Sequence, residues 1–225
     1  ARENNRGVVG IAPEAEIWNV KVLSDGGWGL WSWVVAGVEW ATENDMDVVN
    51  MSLGGSENAT TLRDACANAA ASGVIIVAAA GNNGYWGAFW NTMLYPARYE
   101  SVIAVAAIDA AGAVADFSSV GPEMDFAAPG VQILSTIPDG WAAENWDGTS
   151  MATPHVTGTI ANMLAVNPSL TRECVYEILR LTASSPSDAY DQWNTYTGYG
   201  VVQAAAAVAV AVNPAVLSTV CGIPD

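Results

Sequence analysis

Gly148-Thr149-Ser150-Met151-Ala152-Thr153-Pro154-His155 places a serine on a turn that opens with glycine and leads into a helix of small residues, with a proline in what reads as its first turn. Backbone N–H groups at a helix start have no intrahelical acceptor and lie at the positive end of the macrodipole, so they favour negative charge developing beside Ser150. A capped helix start accounts for the same octet, and only other segments decide between the two readings.

Working outward, Val74-Ile75-Ile76-Val77-Ala78-Ala79-Ala80 is an apolar run with the look of a buried parallel strand, and it ends in Gly81-Asn82-Asn83-Gly84. A side-chain amide at the C-terminal end of such a strand points into the crevice where open α/β sheets bind ligands. Asp47-Val48-Val49-Asn50-Met51-Ser52-Leu53-Gly54-Gly55 is a second buried run, ending in glycines that permit close approach of another backbone. Strands are expected at 17–23, 48–53, 74–79, 102–108 and 126–129. Helices are expected at 31–44, 61–72, 150–167 and 172–182, with a further alanine-rich core helix around 203–212. Alternating strands and helices predict an α/β fold with a doubly wound, mostly parallel sheet.

These segments, in this order and spacing, resemble subtilisin-like serine proteases (subtilases). The resemblance runs from about Gly7 to about Ala207, through Gly10-Ile11-Ala12-Pro13, Val20-Lys21-Val22-Leu23, Phe117-Ser118-Ser119-Val120-Gly121-Pro122 and Ala127-Ala128-Pro129-Gly130, and leaves 208–225 as a tail. It implies a three-layer fold over 1–225 as a partial catalytic domain. It also implies that Ser150 attacks a peptide carbonyl, that Asn82 and the Ser150 amide hold the oxyanion, and that Thr149 supports them. Ser52, Leu53 and Gly54 would pair with substrate as an added strand. Gly27, Gly29 and Trp31 would flank the other side of the cleft, and Leu94 would floor the primary specificity pocket, shortening it. A calcium ion is implied at Ala97, Tyr99, Val102 and Asp125, where Arg98 or water are the competing partners for the loop carbonyls. The family's other calcium loop corresponds to Asn4-Asn5-Arg6-Gly7, in a shorter form that carries an arginine.

A serine hydroxyl needs a general base, oriented by a third group. The sole histidine, His155, follows Ser150 by five residues on the same expected helix, roughly 140° around its axis. It reads as a packed or hydrogen-bonded helix histidine. In subtilases the catalytic Asp and His precede everything seen here, so the base and its aspartate are expected from outside 1–225. They would come from a separate chain after internal cleavage or from further sequence; the alternative is a degenerate relative with a binding or structural role.

Composition fits a single secreted domain. The chain has 225 residues, 52% of them hydrophobic, and a formal charge of −16 with Lys21 the only lysine, which excludes a phosphate-tracking nucleic-acid surface. An acidic secreted protein and a high-salt one are both compatible with that charge. The longest apolar stretch is too short to cross a bilayer. Cys66, Cys174 and Cys221 form no C-x-x-C pair. One disulfide plus an odd thiol is expected, with Cys174–Cys221 the preferred pair, although spacing alone does not fix connectivity. The aromatic loop Tyr85-Trp86-Gly87-Ala88-Phe89-Trp90 either packs on the sheet or lines a peptide groove. An α/β-hydrolase elbow fails because Ala152 stands where its last glycine belongs, and no dinucleotide-binding glycine signature follows the first strand.

Overall fold

A computed structural model describes residues 2–3, 7–84, 91–137, 142–184 and 193–222. The aromatic loop 85–90 and most of the Asn4–Gly7 calcium loop lie outside the described residues. Four parallel strands, β1 (Val48–Met51), β2 (Ile75–Ala79), β3 (Val102–Ile108) and β4 (Phe126–Pro129), form one sheet in sequence order. Every residue of β2 and β3 is buried, which explains why these runs read as continuous apolar stretches and not as alternating ones.

Alternation appears instead in what each face touches. Ile76, Ala78, Val102, Ala104 and Ala106 turn to one core with α1 (Trp31–Glu43) and α2 (Thr60–Ala71). Ile75, Val77, Ile103, Val105 and Ala107 turn to the other. That second layer holds α3 (Thr149–Val166), α4 (Arg172–Thr182), α5 (Ala204–Ala211) and α6 (Pro214–Val220). Helix α3 crosses all four strands, so its N-terminus is carried to the C-terminal edge of the sheet. The result is the expected three-layer α/β arrangement. The short antiparallel pair β5 (Ile133–Thr136) and β6 (Ala142–Trp146), together with α6, had no distinct signal in the sequence.

Helix α4 occupies its expected bounds because its ends are written locally. Thr171 caps it by accepting from the Cys174 amide at 3.3 Å, Glu173 lies in the first turn and Arg180 in the last. The expected strand at 17–23 is a correction. No ladder pairs with that segment among the described residues, and Ile17 is 79% exposed. Its β-branched composition favours extension, but a strand exists only through hydrogen bonds to a neighbour. Val22 instead packs on the α1 side of the core. Helix α3 starts at Thr149, one residue earlier than expected, and Pro154 is its sixth residue, beyond the first turn in which the sequence reading put it.

Cys174 and Cys221 are disulfide-bonded, tying α4 to the residue after α6. The third cysteine, Cys66, is a free, fully buried thiol on α2 whose burial pushes its pKa up to about 12. It packs as a small apolar residue and has little thiolate character.

Candidate active site

Three chain segments converge at the C-terminal edge of the sheet. Gly148 adopts φ 155°, and a side chain there would press on the Asn82 amide, with Nδ2 only 3.3 Å from the Cβ position. Glycine thus lets the turn that carries Ser150 close onto the segment following β2. Asn82 Oδ1 accepts from both the Thr149 N–H and the Thr149 hydroxyl, each at 2.9 Å. Thr149 Oγ1 in turn accepts from the Gly81 amide at 3.1 Å. With its oxygen end committed to Thr149, the Asn82 side chain is oriented, and its NH2 end faces the turn that carries Ser150.

Ser150 is tied to β1's continuation by a reciprocal pair of bonds. Its hydroxyl donates to the Ser52 carbonyl at 3.2 Å, and the Ser52 hydroxyl donates to the Ser150 carbonyl at 2.7 Å. A cavity of about 230 Å3 opens beside it, lined by Leu53, Gly54, Asn82, Leu94, Thr149 and Ser150 among others. Leu94 is anchored by its amide to the Ala80 carbonyl at 2.8 Å, and its side chain lies against Gly81. Trp31 reaches this neighbourhood through its ring, which lies over Gly55 so closely that a Cβ there would meet Cζ2 at 2.7 Å. Gly27 and Gly29 belong to the exposed turn before α1 and do not line the cavity.

His155 is half-buried on α3, and its Nδ1 is 2.9 Å from the Met151 carbonyl. That contact is the helix-histidine role expected from the sequence. It is directed along α3, one turn back, and not to the Ser150 hydroxyl.

The residues expected at the cation site are only partly together. Tyr99, Val102 and Asp125 line a separate cavity of about 650 Å3, while Ala97 is buried outside its lining. Asp125 accepts from the Ala104 N–H at 2.8 Å and from the Tyr176 hydroxyl at 2.6 Å, and burial pushes its carboxyl up to about 6 against those bonds. Arg172 takes the Glu100 carbonyl at 3.2 Å, whereas Arg98 pairs with Glu123 at 3.5 Å and stacks on Tyr95. The guanidinium that satisfies a carbonyl of this loop is therefore that of Arg172, not Arg98. No group of three or more His, Cys, Asp or Glu side chains suited to a metal occurs among the described residues. A hard cation takes carbonyl and carboxylate oxygens, and of those expected here both Asp125 oxygens already accept from protein donors.

A serine at a helix start, an oriented amide at the end of the neighbouring parallel strand, and a glycine-edged cavity between them are the parts that a serine endopeptidase of subtilisin type needs besides its general base. The family model described as the Subtilase family matches residues 1–200, and the chain belongs to that family. It is 45% identical over 207 residues to Subtilisin DY of Bacillus licheniformis, covering 92% of this chain and 73% of that protein. It is 44% identical over 207 residues to Subtilisin E of Bacillus subtilis (strain 168), covering 92% of this chain and 52% of that protein. Alkaline elastase YaB of Bacillus sp. (strain YaB) is 41% identical over 208 residues, with 92% and 52% covered. The chain thus spans about half the length of several of the relatives it matches. Among the described residues no helix is long and apolar enough to cross a membrane.

Sequence reasoning missed two side chains near the site, Asn50 and Thr157. Asn50 donates to the Ser52 hydroxyl at 3.0 Å, and the Thr157 hydroxyl reaches Asn50 Oδ1 at 3.0 Å. The available signal was spacing: Thr157 follows Ser150 by seven residues, two helical turns, on the same face of α3.

Proposed function

We propose that this chain is the nucleophile-bearing part of an extracellular serine endopeptidase that hydrolyses peptide bonds through an acyl-enzyme on Ser150. The observation that carries the reading is the double acceptance of Thr149 by Asn82 Oδ1, which fixes the amide for donation beside Ser150. Attack by Ser150 Oγ on a peptide carbonyl places negative charge on the carbonyl oxygen. Asn82 Nδ2 and the Ser150 amide, at the positive end of α3, are disposed to receive that charge. Ser52, Leu53 and Gly54 bind the substrate backbone, with Gly27, Gly29 and Trp31 on the opposite rim. The general base and its orienting aspartate come from residues outside 1–225, because the histidine within them is bonded to its own helix. The Cys174–Cys221 bridge supports an oxidising, extracellular setting.

A fluorophosphonate tests this reading, since covalent capture requires an activated serine. The expected result is one adduct, mapped to the Ser150 peptide and absent from Ser150→Ala, with a histidine-bearing segment found in the same preparation by denaturing mass measurement. A folded protein that takes up no label overturns the enzymatic reading and leaves a subtilase-fold binding or structural protein.

Leu94 is among the residues lining the cavity beside Ser150, which supports reading it as the floor of a pocket that favours small or medium side chains at the substrate residue preceding the scissile bond. Leu94→Ala removes three carbons there and is expected to shift preference toward Phe and Tyr by about tenfold in kcat/KM, the order expected for one or two methylenes of pocket. A library varied at that position checks it, and unchanged ranking sinks the assignment.

For the cation we propose weak calcium binding at Ala97, Tyr99, Val102 and Asp125. Calcium at tens of millimolar is expected to raise the thermal midpoint of the wild type by a few degrees and to leave Asp125→Asn unmoved. A wild-type midpoint indifferent to calcium removes the site.

A further inference from the structure

Pro154 breaks the α3 ladder at one chosen place. In an α-helix the carbonyl of residue 150 accepts from the amide of residue 154, and proline has no amide hydrogen to give. The Ser150 carbonyl, on the nucleophile itself, is therefore without its helical donor. Its partner comes from another element, the Ser52 hydroxyl at 2.7 Å. A hydroxyl carries one proton, and what directs that proton is its other neighbour. Asn50 Nδ2 donates into Ser52 Oγ at 3.0 Å, so the oxygen is already an acceptor on that side and its own hydrogen goes to Ser150. Asn50 presents its NH2 end to Ser52 because its Oδ1 is held by the Thr157 hydroxyl at 3.0 Å, two turns further along α3.

We propose that Asn50 and Thr157 are positioning residues for the nucleophile: through Ser52 they supply the hydrogen bond that Pro154 removes from the Ser150 carbonyl. The chain starts and ends on α3, so it staples the first two turns of that helix to the end of β1 at two points. It thereby fixes the Ser150 backbone relative to Ser52, whose carbonyl accepts the Ser150 hydroxyl at 3.2 Å. Thr157 also contacts the Thr153 carbonyl at 3.2 Å, the ordinary back-bond of a helical threonine, so its proton is shared between that carbonyl and Asn50. This inference rests on Ser150 being the nucleophile, as proposed above.

The test is a double-mutant cycle on the whole protein with a chromogenic peptide substrate. Thr157→Val keeps the shape and loses the hydroxyl, and is expected to lower kcat about fivefold with KM unchanged, the size of one net hydrogen bond. Thr157→Ser restores the rate. Ser52→Ala lowers kcat about tenfold. The double variant Thr157→Val/Ser52→Ala loses less than the product of the two single losses, because Thr157 reaches the Ser150 carbonyl through Ser52. Losses that multiply in the double variant, or a Thr157→Val enzyme at the wild-type rate, overturn the proposal. A readout independent of turnover is amide hydrogen exchange at 150–152, expected to quicken in Thr157→Val and to recover in Thr157→Ser. If the wild type takes no fluorophosphonate, the functional reading falls, and exchange alone decides whether the staple exists.

Discussion

Asn82→Asp is expected to lower kcat by roughly a hundredfold or more while KM changes little. That is the loss that follows removal of one oxyanion donor in a subtilisin. The substitution is informative because the two ends of the Asn82 side chain do different jobs. Oδ1 accepts twice from Thr149, and an aspartate preserves both of those bonds. The NH2 end becomes a second carboxylate oxygen, which offers no hydrogen and repels the developing charge. An isosteric change with the surrounding bonds intact therefore isolates transition-state donation from local packing. Thr149→Ala is the complementary variant. It leaves the amide in place but frees its orientation, and a smaller loss, on the order of tenfold, is expected from one weakened hydrogen bond to a positioned group. Turnover of Asn82→Asp comparable to wild type would remove Asn82 from the oxyanion site, and the functional proposal would then lack its central observation.

The second large effect is on stability. The Cys174–Cys221 bridge spans 47 residues and closes a loop that includes most of α4, all of α5 and all of α6. In the chain-entropy account a loop of that length contributes about 4 kcal/mol by restricting the unfolded chain. Cys221→Ser is expected to lower the thermal midpoint by on the order of 10 °C in a chain of this size. The loss is expected to be concentrated where the C-terminal layer meets α4, because Leu217 is the one buried residue of α6 and the bridge follows that helix directly. Hydrogen exchange should accordingly quicken first in 204–220. A midpoint within one or two degrees of wild type would mean that burial of Ala207, Ala211 and Leu217 holds this layer unaided.

Two of the strands legible in the sequence, β2 and β3, are buried along their whole length, whereas β1 was legible although only Met51 of it is buried. Runs such as 74–79 and 102–108 have no polar face to hide, and their composition alone separates them from the amphipathic helices between them. Helix α4 was legible to the residue because its cap and end charges are local. The segment 17–23 was misjudged for the opposite reason, since its extended propensity is real but its ladder partner is not a local property. The antiparallel pair β5–β6 lacks both signals: β5 is mostly exposed and the register shifts between Leu134 and Thr136.

At the site the division is equally physical. Ser150, Asn82, Thr149 and Ser52 were each visible because motif chemistry is local: a glycine turn, a helix start, the end of an apolar strand. The sequence by itself determined the α/β layering, the glycine turn that carries Ser150 and a single histidine, His155, on the helix that follows it. Only the tertiary structure decided which groups these residues hold. The crossing of α3 over the sheet brings the Thr149 amide and hydroxyl to Asn82, 67 residues away along the chain, and the Ser52 hydroxyl to the carbonyl that Pro154 leaves without a helical donor, 98 residues away. Hydrogen bonds depend on distances of a few tenths of an ångström, set by how whole layers pack, and no pattern of neighbours along the chain records that.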